Sequence, residues 1–198
     1  SFNLLVGGTQ IAPLEQTAKL IRESGADVVG IQEIGKSGPK LAELTGLKLF
    51  DQGGEDTGLL SRFPIIGHSA NKWGAKLDVA GRGPLWLFNA HLPASPYQPY
   101  QLAGIPYGNA PFVETSTEAI AQALTARGAN VGRMLMEIGM AMRAGGPILL
   151  TGDFNEPSHL DWTERAAKAK RCQIPVAWPT SRAIVDAGLS DVYRAVHP

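Results

Sequence analysis

The sequence has a single cysteine, no excess of charge of either sign and no long apolar run. Because Cys172 is alone, an intramolecular disulfide framework is excluded and the chain has no disulfide partner of its own. The 18 Lys and Arg residues balance the 18 Asp and Glu residues, so the composition gives no electrostatic indication of non-specific nucleic-acid binding. We expect no membrane span and no signal peptide, since no apolar segment has the required length.

The chain begins at Ser1 instead of Met, which indicates a trimmed native N-terminus. A removed export signal would produce such a start, so the location stays open between the cytoplasm and secretion. A length of 198 residues suffices for one substantial core, and neither an internal repeat nor a linker interrupts it. We therefore predict a single domain over residues 1–198, of unknown oligomeric state.

Polar residues follow one short apolar run at the point where it stops. Residues 148–150 are Ile-Leu-Leu after turn residues, which predicts a short buried strand, and Asp153 and Asn155 follow it. If the backbone stays extended, the two-residue period places both side chains on one side. Catalytic groups often lie at such ends. A local turn in which both side chains bind backbone N–H groups is the alternative, and a calcium loop fits less well because Pro157 follows.

Three further predicted strands carry polar residues at or near their ends. These residues are Asn3 within residues 2–6, Glu33 after residues 28–31, and His91 at the end of residues 85–91. None of the three has an obvious role in a hydrophobic core. Their recurrence at strand ends, together with Asp153 and Asn155, favours one shared site.

Helical spacing separates the predicted strands. Apolar residues recur at that spacing over residues 14–24, and Gly25 ends the pattern. A capping box from Thr115 to Glu118 predicts the start of a long helix that reaches about residue 143. The order of strands and helices is typical of an α/β fold in which helices cover a sheet.

Residues 92–111 differ in kind, because they contain five prolines and three of the four tyrosines. We predict a long loop without regular structure, which inside a compact domain is often functional. It would serve as a lid or substrate wall next to His91. A packed surface loop whose tyrosines cover the core is an equal alternative.

The residue types at the strand ends suit phosphoester chemistry with a divalent cation. Mg²⁺ prefers oxygen ligands and needs only one or two protein carboxylates, so Glu33 and the amide oxygen of Asn3 would suit it. Asp153 would deprotonate a water for attack. Asn155 and a protonated His91 would donate hydrogen bonds to the phosphoryl oxygens.

Two readings from other classes stay open. Glu33 and Asp153 would also fit the carboxylate pair of a glycosidase, whose activity would survive EDTA. That reading leaves Asn3 and Asn155 without a role. The second alternative is a binding domain that keeps the fold without catalysis.

Five segments occur in a fixed order along the chain. They are Asn3 on the first strand, Val28-Val29-Gly30-Ile31-Gln32-Glu33, Thr57-Gly58-Leu59-Leu60-Ser61-Arg62-Phe63-Pro64-Ile65, Asn89-Ala90-His91-Leu92 and Thr151-Gly152-Asp153-Phe154-Asn155. This series resembles the motifs of the endonuclease/exonuclease/phosphatase superfamily, which has the DNase I-like fold. The resemblance spans roughly residues 1 to 160.

The resemblance implies a four-layer α/β sandwich, in which two mainly antiparallel sheets pack face to face with helices outside. It also implies hydrolysis of a phosphoester by an activated water with Mg²⁺ or Mn²⁺. Asn3 and Glu33 would bind the metal, His91 would contact the phosphate, and Asp153 with Asn155 would serve the nucleophile and transition state. The expected enzyme is a phosphodiesterase or phosphatase, with a DNA or RNA nuclease as the alternative. The neutral charge and the tyrosine-rich loop favour a small or exposed phosphoester as its substrate.

One motif of that superfamily is absent. Its members close with Ser-Asp-His on a late strand, whereas Ser190-Asp191 is followed here by Val192. We expect that a C-terminal segment carrying the Asp-His pair is missing from this sequence, and natural loss of that segment is the alternative.

Overall fold

The computed structural model describes residues 1–54 and 56–197. The chain divides into two compact units. The first unit comprises Ser1–His91 and Glu137–Asp153, and the second comprises Leu92–Met136 and the chain from Phe154 on. Among the described residues, no helix is both long and apolar enough to cross a membrane.

The first unit contains two sheets, and the first sheet is mixed. Its strands are β1 (Phe2–Asn3), β2 (Val28–Gln32), β3 (Lys48–Asp51) and β4 (Thr57–Ser61), arranged in the order β1-β2-β4-β3. β1 pairs with β2 in parallel, whereas the pairs β2-β4 and β4-β3 are antiparallel. The carboxyl ends of β1 and β2 therefore meet at one edge.

The second sheet repeats this mixture. Its strands are β5 (Ile65–His68), β6 (Gly74–Val79), β7 (Gly83–His91) and β8 (Ile148–Asp153), and their spatial order follows their sequence order. The pairs β5-β6 and β6-β7 are antiparallel, and β7 pairs with β8 in parallel. The carboxyl ends of β7 and β8 thus also meet.

The two sheets pack face to face, with β2 against β7 and β8 and with β4 against β7. Leu59, Ala75, Leu77 and Leu87 form the buried cluster between the sheets. Full burial of a leucine contributes roughly 1.5–3 kcal/mol, so this layer is a main source of stability. The arrangement confirms the predicted α/β class with two mainly antiparallel sheets.

Two helices of the first unit cover the outer face of the first sheet. They are α1 (Leu14–Ser24) and α2 (Gly38–Thr45). In α1 the residues Leu14, Ala18 and Ile21 are buried, which is the helical spacing that the sequence predicts. Gly25 ends the helix in the left-handed region at φ 67°, a conformation that glycine adopts at little cost.

Strand β6 is missing from the sequence prediction. It begins at Gly74, and a Cβ at that position would lie 2.7 Å from a ring carbon of Phe88 on the neighbouring strand. Glycine permits this close approach, but it carries no strand signal in the sequence. The sequence pattern therefore missed this strand, because the reason for Gly74 is a packing contact that exists only in the folded sheet.

The prediction of an irregular loop over residues 92–111 is wrong in part, because a short helix interrupts it. This helix, α3 (Gln98–Ala103), starts after Tyr97 with a proline in its first turn and ends at Gly104. Proline suits the first turn, where its missing N–H costs nothing. Tyr100 stacks edge-to-face on both Tyr97 and Tyr107, and it is 40% exposed.

The long predicted helix is present and unbroken as α4 (Ser116–Ala144). Its capping box is formed, since the Thr115 hydroxyl accepts from the Glu118 N–H at 3.2 Å and the Glu118 carboxylate accepts from the Thr115 N–H at 3.0 Å. Three short helices follow in the second unit. They are α5 (Glu164–Lys168), α6 (Pro179–Asp186) and α7 (Val192–Val196).

Candidate active site at the strand ends

Four of the five predicted site residues lie at the carboxyl ends of parallel strand pairs in the first unit. Asn3 ends β1 and Glu33 follows β2, and these strands are neighbours. His91 and Asp153 end β7 and β8 and are register partners across the ladder. Because residues in register share a face, their side chains start from the same side of the second sheet.

The side-chain amide of Asn3 joins the two sheets. Its Nδ2 donates to Glu33 Oε1 at 3.0 Å and to Asp153 Oδ2 at 3.0 Å. Its Oδ1 accepts from the Leu5 N–H at 2.9 Å. A single amide therefore brings together two carboxylates whose strands belong to different sheets.

Hydrogen bonds keep Glu33 ionised. They come from Asn3 and, at 2.8 Å, from the Val6 N–H to Oε2, and in that order of importance they lower the pKa of Glu33. The positive charge that His91 can carry lowers it further, while burial and the negative charge of Asp153 oppose the shift. An ionised, partly exposed carboxylate is a suitable ligand for a divalent cation.

The backbone around Glu33 is held in an unusual conformation. Leu5, Val6 and Glu33 all have positive φ, at 53°, 52° and 54°. Such a conformation costs about 1–3 kcal/mol for a non-glycine residue and persists only where neighbouring contacts enforce it. One such contact is the bond from the Gly7 N–H to the Glu33 carbonyl at 2.7 Å. This clamp aims the Val6 N–H at the Glu33 carboxylate.

A carboxylate that the sequence did not indicate orients His91. The Nδ1 atom of His91 lies 2.8 Å from Oδ1 of Asp56, and the two side chains are 16% and 50% exposed. Asp56 lies 35 positions away from His91 and just before β4. No local pattern pointed to it, since its partner is fixed only by strand pairing.

Asn155 belongs to the second unit, and the extended backbone considered for residues 153–155 is not formed. Strand β8 ends at Asp153, and Asn155 has φ 48°. Its Nδ2 donates to the Leu92 carbonyl at 2.9 Å. The two-residue period is therefore no guide to the direction of this side chain. Its role in the transition state stays a prediction.

Behind the strand ends lies a buried polar cluster centred on Asn89, which is 1% exposed. Its Oδ1 accepts from Gln32 Nε2 at 2.5 Å and from Thr151 Oγ1 at 3.1 Å. Its Nδ2 lies within hydrogen-bond distance of the Gln52 Oε1 atom and two backbone carbonyls. The sequence placed Asn89 on the same side as His91, but it did not indicate this structural function.

The predicted metal ligands suit a cation with few protein ligands. Within residues 1–54 and 56–197 no three His, Cys, Asp or Glu side chains form a group that could hold a metal. Mg²⁺ and Mn²⁺ do not require such a group, since Mg²⁺ keeps several waters and binds through one or two carboxylates. The ionised Glu33 next to Asp153 and the Asn3 amide fits that requirement.

The Ser190-Asp191 pair does not occupy a strand end. Asp191 is the N-cap of α7, and its carboxylate accepts from the Arg194 N–H at 3.0 Å. The pair therefore begins a helix, as aspartate commonly does. It does not replace the Ser-Asp-His motif that the sequence lacks.

Comparison with known proteins gives relatives of low identity and similar fold. An uncharacterised protein of Caenorhabditis elegans, F14F9.5, is 27% identical over 151 residues, which cover 72% of this chain and 46% of that protein. An endonuclease/exonuclease/phosphatase from Beutenbergia cavernae superposes with a TM-score of 0.58 at 16% identity, over 98% of this chain and 54% of that one. Truncated TDP2 of C. elegans superposes with a TM-score of 0.50 at 17% identity, over 79% of this chain and 61% of that one.

These structural likenesses show the DNase I-like fold, and the chain spans only about half to three fifths of the solved relatives. A model of the endonuclease/exonuclease/phosphatase family matches residues 1–190, nearly the whole sequence. The chain therefore belongs to the endonuclease/exonuclease/phosphatase family.

Proposed function

We propose that the protein hydrolyses a phosphoester with the help of a divalent cation, Mg²⁺ or Mn²⁺. The family's name covers nucleases and phosphatases, and all of these cleave phosphoesters. The observation that carries the proposal is the contact of Asn3 with both Glu33 and Asp153. It unites, at one edge, the residue types that such hydrolysis needs.

In this proposal Glu33 and Asn3 hold the cation. Once bound, the cation supplies positive charge that polarises a phosphoryl oxygen and stabilises the charge that develops on it. The lowered pKa of Glu33 supports this role, because the ligand is ionised without help from the metal. Asn3 Oδ1 is bonded to the Leu5 N–H at 2.9 Å, and it would use its second lone pair for the cation.

Asp153 takes the proton of the attacking water. Its Oδ2 accepts from Asn3 at 3.0 Å, which orients the carboxylate. His91 donates to a phosphoryl oxygen, and Asp56, whose Oδ1 lies 2.8 Å from its Nδ1, orients the imidazole.

A small or exposed phosphoester is the favoured substrate. The balanced charge agrees with few phosphate contacts. A nucleic-acid substrate would instead make several contacts, and its affinity would fall steeply with salt. A salt titration of oligonucleotide binding separates the two, since an affinity that hardly changes with salt would exclude a nuclease.

The direct test uses the full-length protein and the probes p-nitrophenyl phosphate, bis(p-nitrophenyl) phosphate and a single-stranded oligonucleotide. We expect hydrolysis of at least one probe with Mg²⁺ or Mn²⁺, loss of it in EDTA, and recovery when the metal is added back. Asp153→Asn should remove turnover, and Asp78→Asn, on the exposed side of β6, is the matched control. Hydrolysis of these probes that survives EDTA would contradict the metal requirement, and no turnover of any probe would favour a binding domain.

A further inference from the structure

The second unit contains a cavity whose charged lining is mostly basic. Its volume is about 810 Å³, within the range of about 300–1,000 Å³ that is usual for small-molecule sites. All of its lining residues lie between residues 160 and 171 or in α7. Three arginines and one aspartate supply the charged groups, and these are Arg165, Arg171, Arg194 and Asp161. The cavity therefore carries an excess of positive charge in a chain whose net charge is zero.

Most of this positive charge comes from a short basic run in the sequence. Residues 165–171 are Arg-Ala-Ala-Lys-Ala-Lys-Arg, so four of the seven are basic and none is acidic. All four basic residues are exposed. Arg165 lines the cavity together with Ala169, four positions further along, and Arg171 lines it from the turn after α5. The two lysines of the run do not line it, so the arginines alone are the cations of this run at the cavity.

Cations near the end of a helix often serve only to bind its last carbonyl groups. In α5 the backbone already does so. The last carbonyls of the helix accept from N–H groups of the turn that follows, at distances between 2.9 and 3.0 Å, and the donors are Ala169, Lys170 and Arg171. Lys170 has φ 57° in this turn, at a position where glycine is the usual residue. The helix therefore ends without the help of a guanidinium group.

The two arginines of the run also have no acidic partner. Over residues 1–54 and 56–197, neither the Arg165 nor the Arg171 side chain takes part in a salt bridge or a hydrogen bond. Arg194 differs, because it pairs with Asp161 and its Nη1 donates to the His197 carbonyl at 3.2 Å. The aspartate thus neutralises one arginine of the cavity. An anion that enters would meet the other two with their charge unopposed.

We propose that this cavity binds a phosphate group through Arg165 and Arg171. A guanidinium group is always charged, and its planar fork donates two parallel N–H bonds to phosphate. Two such groups match a phosphomonoester, whose charge at pH 7 is roughly −1.5 to −2, better than they match a single carboxylate. A free phosphate compound and a nucleic-acid strand share this chemistry, and the experiment distinguishes them. The proposal concerns the second unit alone and does not rest on the proposed function.

The test titrates the full-length protein with inorganic phosphate, adenosine 5′-monophosphate and a ten-nucleotide oligothymidylate, in EDTA to prevent metal-dependent hydrolysis. NMR follows the side-chain Nε–H signals of Arg165 and Arg171, assigned with Arg165→Gln and Arg171→Gln, and calorimetry gives Kd. We expect both signals to shift with at least one probe. Each substitution should weaken binding of that probe by about tenfold to a hundredfold, because hydrogen bonds between charged groups are lost. Both arginines are exposed, so the melting temperature should change little.

Lys168→Gln is the matched control, because it removes the same charge from the same helix at a residue that does not line the cavity. It should weaken binding of the same probe by no more than about threefold. Arg165→Lys keeps the charge but loses the planar fork, so it should recover only part of the affinity. Signals that do not shift with any probe would overturn the proposal, as would an equal loss in Lys168→Gln.

The three probes also identify the source of the phosphate group. A similar Kd for all three indicates a site for one phosphate group of a small compound. A tighter Kd for the oligothymidylate, with a steep dependence on salt, indicates a nucleic-acid strand that makes several phosphate contacts. Either result supports a phosphate site at Arg165 and Arg171.

Discussion

Two asparagines connect the sheets of the first unit, and they differ mainly in burial. Asn89 is 1% exposed, and its side-chain amide bonds to Gln32 and Thr151. Asn3 lies at the rim, partly exposed, and its partners are two carboxylates. The same amide group is therefore enclosed by protein partners in the interior and stays accessible to a ligand at the rim, where we propose that it binds the cation.

The largest expected effect is a loss of kcat caused by a substitution at the rim. Asp153→Asn keeps an oxygen that can accept from Asn3 but removes the base, so kcat should fall by about 10²–10⁴-fold. The melting temperature should change little, because the side chain stays partly exposed. Steady-state kinetics with calorimetry on the same sample checks both quantities. A large drop in melting temperature would show that the rim cluster is as structural as the interior cluster.

The next largest expected effect is a loss in the free energy of unfolding caused by a substitution in the interior. Asn89→Ala leaves the buried groups of Gln32 and Thr151 without this partner, and we expect the free energy of unfolding to fall by about 3 kcal/mol. Urea unfolding measures it, with the exposed Asn109→Ala as control. A loss below that of the control would remove the distinction between the two asparagines.

A smaller loss in the free energy of unfolding should follow from Gly30→Ala. This variant tests the close approach of the sheets beside Asn89. The added Cβ would overlap Thr151 Oγ1 and would lie 2.5 Å from Asn89 Oδ1. Overpacking of this kind costs about 1–3 kcal/mol in the free energy of unfolding. The double variant Gly30→Ala with Thr151→Ala should be less destabilised than the sum of the two single variants. If the double variant loses as much as the two single variants together, the predicted clash is wrong.

The smallest effect is in the pH dependence of stability. The pKa of Glu33 is below its ordinary value of 4.5, so the folded protein binds fewer protons there than the unfolded chain. The stability from this group is therefore present above pH 4.5 and is lost as the pH falls through the lowered pKa. The difference in the free energy of unfolding between wild type and Glu33→Gln, measured in EDTA, should shrink as the pH falls over that range. Because Asn89 does not titrate, the loss in Asn89→Ala should change much less with pH.

Local patterns predicted most strands and the residues at their ends, because alternation, capping and turn residues act over a few positions. They did not predict the contact between Asn3 and Asp153, which are 150 positions apart. They also missed Asp56 and β6, since both depend on strand pairing and on the ring packed against Gly74. The bend at Asn155 is set by tertiary contacts as well. The residue types at the strand ends were thus predictable, whereas their supporting contacts were not.

The link from Asn3 to Asp153 has a consequence for biosynthesis. The first carboxylate partner of Asn3 emerges from the ribosome early, but the second lies at the end of β8. Translation proceeds at about 5–20 residues per second, so many seconds separate the two. During that interval the nascent chain presents Asn3 and Glu33 without the base. In the proposed function, the base is therefore in place only after β8 has paired with β7.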